Sequence, residues 1–184
     1  MARAWIGRAA RSLSALRRLR PLAEQERAFL QAEFGASLNL DRLRLAGGGQ
    51  PLGRIAWQPT SALIQLADSC FEQADPERPL RQAAYPILAH EALHVWQRVH
   101  RQCTVNVSVD GLWLGVMLGR RAYDYDRGLR DPELVLREFL AGNIERQGQM
   151  FEDFVRADVR DPSRRDPKFE YVAGHVRKFL ERRS

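Results

Sequence analysis

At 184 residues, with 45% hydrophobic and 28% charged side chains, the chain has the balance of one globular domain with a sizeable core. Two cysteines, Cys70 and Cys103, are too few for a disulfide framework; they read as free thiols in a reducing compartment or as a single bridge. The net charge of +6 sits in residues 1–20, where Arg3, Arg8, Arg11, Arg17, Arg18 and Arg20 meet no acid. The other 23 basic residues balance 23 acidic ones, and a neutral body argues against nucleic-acid binding, which wants a basic face on the fold.

Arginines interrupt residues 1–20 throughout, so no secretory apolar core is present there. The segment reads as a flexible basic tail, with contact to a membrane surface or an acidic partner as its functional alternative, and the domain is expected over 21–184. A helical run starts at Pro21 and ends at Gly35. Leu43 and Leu45 alternate with arginines, and Ala46–Pro51 is a glycine-rich loop. Arg54–Gln58 and Ala62–Leu66 alternate and are joined by a turn at Pro59–Ser61, so they read as antiparallel strands. Asp75–Pro79 is a loop before a long helix over about Leu80–Arg101. Val105 and Val107 alternate again. Gly111–Gly119 is apolar all round and far too short to span a bilayer, hence a core segment. Tyr123–Asp126 reads as extended or turn. A helix over Pro132–Ala141 ends at Gly142, and Asn143 caps the next one. On that helix Ile144, Gly148, Phe151 and Val155 form one stripe, with Glu145, Gln149 and Glu152 beside it. The loop Asp161–Pro167 leads to a last helix, Phe169–Glu181.

The chemistry concentrates at Ala89-His90-Glu91-Ala92-Leu93-His94, an H-E-x-x-H pattern in an apolar helical run. Positions i and i+4 lie on one helix face, so His90 and His94 can offer two imidazoles to one ion. Glu91 stands beside them, placed to take a proton from a metal-bound water. The plain alternative is an amphipathic helix with two partly buried histidines. Its weakness is Glu91: a carboxylate set among apolar residues needs a partner, and a metal-bound water supplies one.

Catalytic zinc takes three protein ligands and keeps a fourth position open. Glu145 leads for the third place, because it lies on a separate helix beside an apolar stripe that packs it inward. Gln149 and Glu152 share its face and could replace it, and Cys103 is a weaker alternative. His100 stands at the spacing of a third metzincin histidine, but Gln97 occupies the place of the glycine that breaks the helix there. With the helix intact, His100 points about 240° around from His94. His175, Tyr123 and Tyr125 are candidate hydrogen-bond donors to an oxyanion.

The stretch Ala89–Gln97 resembles the zinc motif of the Vgr-related proteins, kin to the metallopeptidase core domain that accompanies contractile injection systems. The preceding strands, Tyr123-Asp124-Tyr125 and Asn143–Gly148 follow in the same order, so the resemblance covers about Leu22 to Phe154. It implies an α+β, zincin-like fold of the glutamate-zincin type, mostly helical, with a small sheet packed on the motif helix. It implies zinc held by His90, His94 and Glu145, with Glu91 as general base, and a link to type VI-like secretion. The expected function is hydrolysis of a peptide or protein substrate in the cytoplasm or after export by a non-classical route. The rival is a non-catalytic zinc-binding adaptor that contacts secretion-system components.

Overall fold

The computed structural model describes residues 19–48, 56–60, 62–100, 119–160 and 166–178. The bulk of the basic tail, Cys103, the Val105/Val107 alternation, nearly all of the apolar Gly111–Gly119 stretch and the Asp161–Arg165 part of the last loop lie outside these residues.

The elements in chain order are β1 (Arg20–Pro21), α1 (Glu24–Phe34), β2 (Arg44–Ala46), β3 (Ala56–Thr60), β4 (Leu63–Leu66), α2 (Tyr85–Val99), α3 (Pro132–Ala141), α4 (Ile144–Arg160) and α5 (Pro167–Lys178). Among the described residues the architecture is α+β: five α-helices and a small sheet of order β1-β2-β4-β3. The antiparallel pair β3–β4 matches the alternating sequence. Its register slips between Trp57 and Thr60, and the strand runs on through Pro59, where a turn is expected from the sequence. Proline cannot donate to a ladder, and β3 is an edge strand, which tolerates it. β2 pairs in parallel with β4.

Helix starts shift from their expected places for local reasons. Pro21 belongs to β1, and α1 begins at Glu24. The Glu26 carboxylate turns back to accept from Ala23 N–H at 2.7 Å and from both terminal nitrogens of Arg20 at 2.7 Å. It also accepts from Leu80 N–H at 2.8 Å, although it is 0% exposed. Arg20, the last residue of the basic tail, is thereby built into the fold. Glu26 ties β1, α1 and the approach to the motif helix together. That helix, α2, begins at Tyr85 rather than Leu80; a 3-10 turn over Gln82–Ala84 precedes it, and Pro86 stands in the first turn, where its missing N–H costs nothing. α3 starts on the Asp131 carboxylate, which caps Glu133 and Leu134 N–H. Asn143 caps α4 through Arg146 N–H at 2.9 Å.

α2 is the central element. One side packs along α4 and another meets β3 and β4. Leu88, Ala89, Ala92, Leu93, Val95 and Trp96 are all buried. The aromatic core joins α1, α4 and α5: Phe151 packs against Phe34 at 5.2 Å and Phe169 at 5.1 Å between ring centroids. The Trp96 indole donates to the Val176 carbonyl at 3.2 Å and fastens α5 to α2. No described helix is long and apolar enough to cross a membrane.

Candidate metal centre

The contact of α2 with α4 puts three metal-ligating side chains together. His90 and His94, one turn apart, present Nε2 atoms 3.1 Å from each other. Glu145, in the first turn of α4, places Oε2 3.6 Å from His90 Nε2 and 3.7 Å from His94 Nε2. All three residues are buried, and one ligand atom from each lies within 4.8 Å of the others. A tetrahedral ion with bonds of roughly 2.0–2.2 Å holds its donor atoms about 3.3–3.6 Å apart. The triangle is close to that size. The donor set also fits: two imidazoles and one carboxylate converge, and each has a lone pair to give.

The outer nitrogens of both rings are engaged. His90 Nδ1 lies 3.0 Å from Glu152 Oε2, and Glu152 is itself paired with Arg156 one turn on. His94 Nδ1 lies 2.8 Å from Gln97 Oε1. The Gln97 amide donates to Gln147 Oε1 at 2.6 Å and to the Ile144 carbonyl at 3.3 Å. Gln147 in turn donates to the Phe139 carbonyl at 3.0 Å. Partners of this kind orient ligating histidines and set which nitrogen faces the ion.

The electrostatics follow from the same neighbours. Burial works against a charge on His90, but the carboxylates of Glu145, Glu152 and Glu91 outweigh it and push its pKa up to about 10. Burial would raise the Glu145 carboxyl, yet the two imidazoles hold it far below the usual carboxylate range. Glu152 is lowered too, against its burial, by His90 and Arg156. Without an ion, the cluster keeps a proton where three lone pairs meet. A metal ion bound there would take that proton's place.

The other candidates fall elsewhere. Glu152, weighed as a replacement third ligand, grips the far side of the His90 ring. Gln149 donates to Asp153 at 2.9 Å. α2 continues unbroken through Gln97, and His100 meets the Ser37 carbonyl at 2.8 Å on a different face. His175 stands edge-on to Trp96, 6.5 Å between ring centroids. Tyr125 donates to Asp153 at 2.9 Å, and burial followed by the Asp153 charge raises its phenol well above the ordinary value. It lines a 360 Å³ cavity over Leu129, Met150 and Phe154. Glu91 is 8% exposed and its charge is felt at His90.

Two features escape a reading of the sequence by stripes. Gly148 lets α4 approach the His90 ring: a β-carbon there would stand 2.6 Å from Nε2 and 2.8 Å from Cδ2 and Cε1. A mid-helix glycine costs about 1 kcal/mol relative to alanine, so it asks for a packing reason, and His90 is that reason. The second is the pair Gln97 and Gln147, which no local pattern connects.

Comparison of the chain with family models, curated proteins and solved structures finds no match in any of the three.

Proposed function

We propose that the protein is a zinc-dependent peptidase of the zincin type, with His90, His94 and Glu145 as ligands and Glu91 as general base. The observation that carries this reading is the convergence of two α2 imidazoles and the Glu145 carboxylate within 4.8 Å, with Glu91 next to the first ligand. Two histidines and a glutamate are a donor set that zinc takes in hydrolytic sites, where it polarises a carbonyl and lowers the pKa of a water to about 7.

The residues of the chain divide the rest of the work. Glu91 accepts the proton as the water oxygen bonds to the peptide carbonyl carbon. It returns that proton to the amine nitrogen as the C–N bond breaks. Glu152 and Gln97 hold the two rings at their outer nitrogens, so neither imidazole has to turn during the cycle. The substrate is a peptide or protein. The motif's likeness to the core domain of contractile injection systems supports a place alongside such an apparatus.

The test compares wild type with Glu91→Gln at matched zinc content on peptide libraries. The amide spares packing but accepts no proton, so cleavage falls by roughly 10²–10⁴-fold while the metal stays. Equal cleavage by both proteins overturns the general-base role. A wild type inert on every peptide, with apparatus assembly unchanged in the variant, supports an adaptor in place of an enzyme.

A further inference from the structure

The hydrogen bonds around His94 run in one direction only. The chain ends at the Phe139 carbonyl, which can accept but never donate. The Gln147 nitrogen must therefore face Phe139, and its oxygen faces Gln97. The Gln97 nitrogen is fixed twice over, because it donates both to that oxygen and to a second pure acceptor, the Ile144 carbonyl. Turning the Gln97 amide over would set its oxygen against two acceptors and lose both bonds. Gln97 Oε1 is thus left facing His94 Nδ1 at 2.8 Å, and only an Nδ1–H can satisfy it.

From this we infer that Gln97 and Gln147 are positioning residues that lock His94 as the Nδ1–H tautomer, with its Nε2 lone pair turned toward His90 and Glu145. The inference rests on the metal-site reading for its purpose, but its geometry does not need the ion. The relay differs in kind from the one at His90, where a carboxylate, Glu152, does the same service. The neighbourhood already holds Glu91, Glu145 and Glu152, whose charges all act on His90. A neutral amide orients the second histidine without adding another negative charge. The reach of the relay is long. It begins at the end of α3, crosses α4 and arrives at α2, so the packing of three helices decides which nitrogen of His94 faces inward.

Two measurements test this on the full chain. Long-range proton–nitrogen spectra of the metal-free protein report the His94 tautomer directly. Wild type is expected to show Nδ1–H, and Gln97→Met, near in shape but without the acceptor, is expected to show both tautomers. An Nε2–H signal in wild type, or an unmixed Nδ1–H signal in Gln97→Met, overturns the inference. Zinc affinity by chelator competition is the second readout. Gln97→Met should lose roughly 10–100-fold, the usual effect of removing an outer partner of a ligand. Gln147→Met, half-buried and milder for folding, should lose less in the same direction. Because Gln147 acts only through Gln97, the double variant should match Gln97→Met alone; additive losses would mean two unrelated packing effects and would contradict the relay. A wild type with the Nδ1–H tautomer that takes up no zinc upholds the relay and removes the metal reading.

Discussion

The α-carbon of Gly148 lies against the imidazole of His90 so closely that a β-carbon would come within 2.6 Å of its Nε2. One helix thus limits its own side chain so that the His90 ring of another helix can keep its place. Replacing Gly148 sets two effects against each other. Helix propensity favours alanine by about 1 kcal/mol, whereas forcing a methyl group into a packed contact costs typically about 1–3 kcal/mol. The ring is held at Nδ1 by Glu152 and has little room to retreat. Gly148→Ala is therefore expected to be destabilised, and to bind zinc at least about 10-fold more weakly, given the sensitivity of metal sites to ligand orientation. Thermal melting with and without zinc reads both effects. A variant more stable than wild type with unchanged affinity would show that the helices can part at no cost.

The two glutamates of α4 make different predictions. Glu145→Ala removes a ligand and should abolish tight zinc binding. Glu152→Gln keeps an acceptor for His90 Nδ1 and should weaken binding by no more than roughly 10–100-fold. His100→Ala should lose stability through its bond to Ser37 but keep its zinc. Chelator competition on the three variants checks the order. Metal lost from His100→Ala and retained by Glu145→Ala would reverse the assignment.

The pH dependence of the metal-free protein follows from His90. Its folded pKa, about 10, lies above the ordinary 6.5. A raised pKa means that the protonated form is stabilised by folding. This contribution is complete below about pH 6.5 and is lost as the pH rises to about 10. The zinc-loaded protein should lack this dependence, because the ion stands in place of the proton; its stability should fall only in acid below about pH 6.5, where protons compete with the ion. Melting temperature against pH should fall between these limits without zinc and stay level with it. Parallel curves would rule out competition of ion and proton for one site.

The Glu26 anchor gives a prediction about the fold alone. Its buried carboxylate takes bonds from Arg20, Ala23 and Leu80. Removing one partner of a buried pair strands the other, at a cost of about 3–5 kcal/mol. Glu26→Ala should lose that much in denaturant unfolding. A loss below about 1 kcal/mol, the range of exposed pairs, would mean that Arg20 readily finds water instead.

What was legible in the sequence was whatever depends on short range or on one helix face. The i, i+4 spacing set His90 and His94 together, and the amphipathic face of α4 turned Glu145 inward. Glu152, on the same face, was harder to place, since periodicity tells which side a residue takes but not which atom it meets. The parallel pairing of β2 with β4 was hidden because it joins segments separated by β3, and no local signal carries such a pairing. In the sequence Gln97 stands out only as the absence of a helix-breaking glycine. Its bond to Gln147 spans 50 residues and exists only once α4 has docked on α2. Helix edges moved by a few residues where Pro21 joined a strand and where a 3-10 turn preceded Tyr85.

In the proposed metal site α2 supplies His90 and His94 and α4 supplies Glu145. Elemental analysis of the purified protein beside His94→Ala tests it most directly. About one zinc ion per wild-type chain is expected, and little or none in the variant, since two remaining ligands hold zinc poorly. Equal zinc in the two proteins would contradict it.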